Sequence, residues 1–311
     1  MKELPLKSGF VAVVGRPSAG KSSLINALCG HKVSIVSPVP QTTRNRIRGI
    51  LSCELGQAVF LDTPGLHHSR KRLNRHLREL VTASLEEVEA VLYVLDLSRA
   101  VGREEEYIAE LLAAVELPIV ACLNKLDLPR AGGRDHRTLI TQTLPNAAVV
   151  ETSAVRGDGL SDLRDSVFRA LPEGAPLYPE EYYTDQDPEF RVAELIREQA
   201  VLQTREEVPH GLYVEISDME IHELDNAGSA RRAESDGPEE QMLWIRAFLI
   251  VERESQKGIL VGKGGSRIKV IRQTAQREIA RVFPYRIHLD LRVKVNPGWR
   301  TQEHLLTRLV R

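Results

Sequence analysis

Cysteine is scarce in this 311-residue chain, and it is badly spaced for cross-linking. Cys29, Cys53 and Cys122 include no C-x-x-C pair and leave an odd one over, so they read as reduced thiols of a cytosolic protein, not as a disulfide framework. No apolar run approaches the roughly 18 residues that a membrane helix needs. Residues 1–8 hold lysines but no stretch apolar enough for a secretory signal, and no lipidation motif or internal repeat is found. Neither charge is in surplus: 42 Lys and Arg stand against 43 Asp and Glu, for a net charge of -1. Any nucleic-acid surface must then be a local patch, not a global field. What is present, 42% hydrophobic and 27% charged residues, is the make-up of a soluble globular protein long enough for two domains, each burying its own core.

Up to residue 172, short apolar runs alternate with helical stretches. Strands are expected over 10–14, 58–61, 90–95, 118–123 and 147–150, and helices over 22–28, 104–114 and 160–171. That alternation predicts an α/β domain, a mainly parallel sheet with helices on both faces and ligands at the carboxyl ends of the strands. Pro172, Gly174, Pro176 and Pro179 punctuate a linker over 173–190. From 191 to 311 the pattern predicts a second, α+β domain. Its first helix spans 191–205, with Val192, Leu195, Ile196 and Gln199 on one face, and strands follow near 212–216, 243–252 and 287–295. The stretch 218–241, with Gly228, Gly237 and Pro238, reads as a long polar loop between the first two strands.

The first strand runs into Gly15-Arg16-Pro17-Ser18-Ala19-Gly20-Lys21-Ser22, which fits G-x-x-x-x-G-K-[ST] in the required strand–loop–helix context. Glycines let the backbone N–H groups wrap a phosphate, and the following helix adds its N-terminal dipole. Lys21 brings a point charge to the β- and γ-phosphates, and the Ser22 hydroxyl is a ligand for Mg²⁺. This much says nucleoside triphosphate. Asn124-Lys125-Leu126-Asp127, after another strand, narrows it to GTP (and GDP): the Asp127 carboxylate accepts two hydrogen bonds from guanine N1–H and the exocyclic amine, a donor pair that adenine lacks. Asn124 and Lys125 buttress that loop and cover the base, and the backbone at Ser153 and Ala154 backs the guanine carbonyl. In Asp62-Thr63-Pro64-Gly65, Asp62 holds Mg²⁺ and Gly65 offers its N–H to the γ-phosphate. Upstream, Thr43, in preference to Thr42, completes the Mg²⁺ shell while the third phosphate is present. Lys21, Thr43 and Gly65 are thus the catalytic set, and Ser22, Thr43 and Asp62 the metal set. Leu66 occupies the place where many small GTPases carry a glutamine that orients the attacking water. Slow intrinsic hydrolysis, quickened by a partner or an ion, is therefore expected. His67 and His68 read as solvated.

In the second domain Gly262-Lys263-Gly264-Gly265 carries G-x-x-G between two apolar helical segments. In KH domains such a loop clamps the sugar-phosphate backbone of a few unpaired nucleotides. From 255 to 277 there is no acidic residue, yet Lys257, Lys263, Arg267, Lys269, Arg272 and Arg277 are basic. Lys257, Gly262, Lys263, Gly264, Gly265, Arg267 and Lys269 form the RNA-binding set. Arg70, Lys71, Arg72, Arg75 and Arg78 read as a solvated helix face, and Trp244 and Trp299 as packing residues.

The order of the nucleotide motifs resembles the translation-factor class of GTPases. The surrounding residues are similar to the bacterial Era family: Ser37-Pro38-Val39-Pro40-Gln41-Thr42-Thr43-Arg44, the run from Asp62 to His67, Tyr178-Pro179, and Arg191 to Glu198. Ser18-Ala19 stand where that family usually has Asn-Val. The resemblance spans nearly the whole chain. It implies a P-loop GTPase followed by a type II KH domain, and as partners the 3′ end of 16S ribosomal RNA and the 30S subunit during its assembly. It also implies a monomeric cytoplasmic protein in loose contact with the inner face of the cell membrane. Two other readings stand against it: an RNA-binding scaffold with a static nucleotide site, which intact Lys21, Ser22 and Asp62 disfavour, and a traffic or signalling GTPase, which would leave the basic glycine loop without a purpose.

Overall fold

The computed structural model describes residues 5–37, 47–62, 87–130, 135–204, 208–224, 230–232 and 241–299. They form two compact units, with the main division between Asp185 and Gln186.

In the first unit the described strands are β1 (Lys7–Val14), β2 (Ile47–Cys53), β3 (Gly56–Asp62), β4 (Ala90–Asp96), β5 (Ile119–Asn124) and β6 (Ala148–Glu151). They lie in one sheet in the order β2-β3-β1-β4-β5-β6. Every neighbouring pair is parallel except β2–β3, an antiparallel hairpin turned by Glu54 and Leu55. β4 is buried at all seven positions, which is why its sequence is a continuous apolar run with no alternation: both faces are covered. Helices α1 (Lys21–Cys29), α2 (Arg103–Ala113), α3 (His136–Thr143) and α4 (Leu160–Ala170) do the covering. On α2, Ile108, Ala109 and Leu112 form the buried stripe, and each large side chain so buried contributes about 1.5–3 kcal/mol. Glu104, Glu105 and Glu106 in its first turn match the helix dipole. β2 goes beyond the strands read from the sequence because Arg48 and Gly49 interrupt its apolar pattern. α3 carries only Leu139 and Ile140 as buried aliphatics and starts on Asp135, whose carboxylate accepts the Thr138 N–H.

Residues 173–185, read from the sequence as linker, pack on this first unit. Gln57 of β3, almost wholly buried, uses its entire amide on the neighbouring chain. Its Oε1 accepts the N–H groups of Leu177 (2.7 Å) and Tyr178 (2.8 Å), and its Nε2 donates to the Tyr178 carbonyl (2.9 Å) and Ser52 Oγ (3.0 Å). Ile50 N–H donates to the Tyr183 carbonyl, the Tyr183 ring stacks on His31, and Arg48 pairs with Asp185 at 2.6 Å. Pro and Gly rule out regular structure here, but they do not stop a side-chain amide from supplying the missing hydrogen bonds. Gln57→Ala is expected to cost about 2–3 kcal/mol by orphaning three backbone groups, read as a fall of roughly 5–10 °C in the melting temperature.

The second unit opens with α5 (Pro188–Leu202), capped by the Asp187 carboxylate, then β7 (Tyr213–Leu224), β8 (Ala230–Arg232), β9 (Gln241–Val251), α6 (Glu254–Val261), α7 (Ser266–Ala280) and β10 (Arg286–Val295). The sheet order is β10-β9-β7-β8, with β10 parallel to β9 and the other pairs antiparallel. Val192, Leu195 and Ile196 of α5, Leu260 of α6, and Ile271, Ala275 and Ile279 of α7 bury against Ile245, Leu249, Leu289 and Leu291. Trp299 is buried on the other side of the sheet with Tyr213, Phe248 and Ile250. The polar loop expected over 218–241 is in part strand. β7 continues to Leu224 in register with β9, from Asp218↔Arg246 to Glu223↔Gln241. Charged residues hide that strand in the sequence, since Asp218 and Glu220 dominate a stretch in which Met219 still packs on the core.

Candidate nucleotide and RNA sites

The loop between β1 and α1 is held from several sides. Lys21 is buried, and its ammonium donates to the carbonyls of Gly15 (2.9 Å) and Arg16 (3.0 Å). Burial pulls its pKa below the usual lysine range, and the charge of Asp62 partly opposes that fall. Gly20 sits at φ +97°, where a Cβ would stand 2.3 Å from Asn124 Nδ2. The second glycine of the motif is therefore demanded by close approach as well as by backbone geometry. Asn124 reaches back to the loop, Nδ2 donating to the Ala19 carbonyl at 3.0 Å, while its Oδ1 accepts from Thr152 Oγ1 and the Ala154 N–H, both at 3.2 Å. One buried amide thus ties the phosphate loop, the Asn124–Asp127 turn and the loop after β6 together. Ser18 and Lys125 are non-glycine residues at positive φ, 63° and 69°. Strain of this kind collects where a backbone is shaped for a ligand.

Asp127 is held by Ser153, whose hydroxyl donates to Oδ1 at 2.6 Å. That bond keeps its carboxyl below the usual carboxylate range, so it is ionised at neutral pH. Lys125 Nζ donates to Asp96 Oδ2 at 2.7 Å. Asp96, at the end of β4, is a residue the motif reading missed. Burial alone would raise its pKa, but the bonds from Lys125 and Ser98 bring it below the usual range. On the metal side, Ser22 Oγ donates to Asp62 Oδ2 at 2.7 Å, and Asp62 is fully buried. A hydroxyl and a carboxylate oxygen converging beside the phosphate loop are a hard-oxygen donor set that suits Mg²⁺. Thr42, Thr43, Thr63, Pro64, Gly65, Leu66, His67, His68, Arg70, Lys71, Arg72, Arg75 and Arg78 lie outside the described residues. Among the described ones, Gly15 to Gly20, Asp62, Asn124, Lys125, Asp127, Ser153 and Ala154 lie in the loops that follow β1, β3, β5 and β6 or at the ends of those strands, and Lys21 and Ser22 open α1. These all face the carboxyl end of the sheet. An open cavity of about 520 Å³ is lined by Ser23, Asn26, Gly30, His31 and Ala154, of which Ala154 alone belongs to that set.

In the second unit, α6 and α7 are joined by a turn in which Gly262, Gly264 and Gly265 all take positive φ, 71°, 58° and 77°. Arg267 Nη1 donates to the Ile259 carbonyl at 2.6 Å and braces the turn. Lys263, Lys269, Arg272 and Arg277 are exposed, while Lys257 lies 3.6 Å from Glu254. Ile259 and Val270 flank the turn with 42% of their surface exposed. Their significance could not be read from composition, because only the folded turn brings two unburied aliphatics beside the cations. Glycine backbone, the N-terminus of α7, exposed cations and an apolar flank together make a surface suited to a sugar-phosphate chain.

Comparison with known proteins follows the same division. The family model described as 50S ribosome-binding GTPase matches residues 10–125, and the KH domain model matches residues 207–300. A Treponema denticola protein named GTPase Era is 45% identical over 98% of this chain and 99% of its own length. A Borreliella burgdorferi protein of the same name is 39% identical over 98% of this chain and 100% of its own. Among solved structures, Era in complex with MgGDPNP and nucleotides 1506-1542 of 16S ribosomal RNA aligns with a TM-score of 0.81 at 35% identity, covering 98% of each chain.

Proposed function

The chain belongs to the Era family of GTPases, and from that premise we propose that it is a GTP-driven clamp on the 3′ end of 16S ribosomal RNA, acting in maturation of the small ribosomal subunit. It is a P-loop GTPase that binds guanine nucleotide and Mg²⁺ and converts GTP to GDP and phosphate. The observation that carries the RNA reading is the pairing, in one chain, of an ordered guanine-nucleotide site with a glycine turn bearing exposed Lys263 and Lys269. It is supported by the 16S ribosomal RNA fragment bound to a relative that aligns over 98% of this chain.

In this reading the Asp127 carboxylate, oriented by Ser153, accepts the two guanine N–H donors, and Asn124 keeps its turn against the phosphate loop. Lys21 transfers its hydrogen bonds from the Gly15 and Arg16 carbonyls to the β- and γ-phosphates and offsets charge there during attack by water. Ser22 and Asp62 would hold Mg²⁺, which when bound adds charge neutralisation at the phosphate oxygens. Thr43, Thr63, Pro64 and Gly65 complete the γ-phosphate side, and Leu66 in place of a water-orienting glutamine leaves intrinsic hydrolysis slow. On the RNA side, Lys257, Gly262, Lys263, Gly264, Gly265, Arg267 and Lys269 take the backbone of unpaired nucleotides. The proposal includes the 30S subunit as the assembly in which that RNA is met. It places the protein as a monomer in the cytoplasm, in peripheral contact with the inner membrane. No helix among the described residues is long and apolar enough to cross a membrane.

Crosslinking the protein to RNA in cells and sequencing the fragments tests the reading. Reads piled at the 3′ end of small-subunit RNA are expected; a dispersed map, or no phosphate release from GTP with 30S subunits present, overturns it. Asp127→Asn is expected to weaken GTP binding at least about 100-fold, because an amide turns a donor toward the guanine donors. Competition between GTP and xanthosine triphosphate, whose ring presents a carbonyl there, should reverse in favour of the latter.

A further inference from the structure

Arg16 is the second residue of the phosphate loop, yet its guanidinium is bonded to α2. Nε lies 2.8 Å from Glu104 Oε2 and Nη1 2.6 Å from Glu105 Oε1. Glu105 is 2% exposed and both its oxygens are engaged, Oε2 accepting the Gly102 N–H at 2.9 Å. Its main chain is also fixed, since the Tyr93 hydroxyl donates to the Glu105 carbonyl at 2.9 Å. At the other end, the Arg16 carbonyl accepts Lys21 Nζ at 3.0 Å and the Ala19 N–H at 3.2 Å. The peptide that receives the phosphate-loop lysine is therefore carried by a side chain anchored in a different helix. Burial opposes the Arg16 charge, but the bonds and charges of Glu105 and Glu104 outweigh it and raise the pKa above the usual arginine range.

Two consequences follow from charge. Held this way, Arg16 is kept from swinging onto a phosphate. It also neutralises carboxylates that would otherwise stand uncompensated beside a site for a polyanion. We propose that Glu105 is a positioning residue for the nucleotide: through the Arg16 guanidinium it fixes the first turn of the phosphate loop and so sets how long a bound guanine nucleotide is kept. This inference rests on the nucleotide-site reading above and adds a residue outside the motifs to it.

The test is displacement of fluorescently labelled GDP from full-length variants, with the saturated hydrolysis rate measured alongside. Arg16→Met cuts the link from the phosphate loop to Glu105 and is expected to speed GDP release about 10-fold or more. The Arg16→Met/Glu105→Gln double variant lacks the same link and should release GDP within about 3-fold of Arg16→Met, since both changes break one interaction. In Glu105→Gln, which leaves the phosphate loop itself unaltered, the hydrolysis rate at saturating GTP should stay within about 2-fold of the parent, which separates positioning from chemistry. Release within about 2-fold of the parent in Arg16→Met overturns the proposal, and so does a double variant back at the parent rate, which would trace the effect to a stranded charge and not to positioning. If Arg16→Met does not fold, Glu105→Gln, which leaves Arg16 on Glu104, decides: release about 3-fold faster supports the proposal and an unchanged rate overturns it. A parent that fails to hold labelled GDP would take down the nucleotide reading itself; a parent that holds it while the variants match it removes this inference alone.

Discussion

Lys21→Met is expected to lower GTP affinity by at least about 100-fold and to remove measurable phosphate release, without loss of folded stability. Methionine keeps most of the volume of the stem, so the packing around it survives. What disappears is a buried ammonium whose hydrogen-bond partners among the described residues are two carbonyls, Gly15 at 2.9 Å and Arg16 at 3.0 Å. Carbonyl dipoles compensate a buried cation poorly, and desolvation accordingly lowers its pKa. A triphosphate compensates it well, so the charge costs stability in the free protein and contributes affinity when the ligand arrives. The sign can be checked by pH. A lysine whose folded pKa lies below its unfolded value binds fewer protons in the native state. Native stability therefore gains as pH rises through that lowered pKa toward the ordinary 10.5. The gain should be present in the parent and missing from Lys21→Met in thermal melts across that range. Equal pH profiles would mean that Lys21 is not the buried cation described here, and unchanged GTP affinity would remove it from the phosphate site.

The motifs and the sheet that presents them were legible in the sequence for a shared reason: each is fixed locally. Gly20, Lys21 and Ser22 are consecutive, and Asn124 and Asp127 lie three apart on one turn. β4 announces itself because burial on both faces forces an unbroken apolar run. Gln57, Asp96 and Glu105 were not legible, because each acts on a segment far away in the chain. Gln57 bonds residues 177 and 178, Asp96 bonds Lys125, and Glu105 bonds Arg16. A glutamine in a strand or a glutamate in the first turn of a helix is unremarkable until the fold supplies its partner. β7 beyond Asp218 was hidden for a different reason. Its strand state depends on β9 as a pairing template, and its own residues argue for a loop. Ile259 and Val270 follow the same rule from the other side, since their exposure next to the glycine turn is a property of α6 and α7 as packed.

Gly264→Asp is expected to reduce RNA affinity about 100-fold while leaving GTP binding untouched. Gly264 takes φ +58°, and a Cβ there would meet nothing within 4 Å. Aspartate enters the left-handed region more readily than most residues, so the cost to folding stays near 1 kcal/mol. The new carboxylate then stands between Lys263 and the amides at the start of α7, where a phosphate of the RNA backbone would lie. It repels that phosphate and satisfies the donors in its place. Gly264→Ala separates the two effects, since it imposes the backbone strain without the charge and should lose only about 3- to 10-fold. The cations can be counted independently. For single-stranded RNA each phosphate contact contributes about 0.7 to the slope of log affinity against log salt. Lys263→Gln and Lys269→Gln should therefore each flatten that slope by about 0.7, and by about 1.4 together. A slope unmoved by either lysine, with affinity unmoved by Gly264→Asp, would take RNA off this turn. A flattened slope with intact GTP hydrolysis would place the polyanion on the surface that the α6–α7 turn builds.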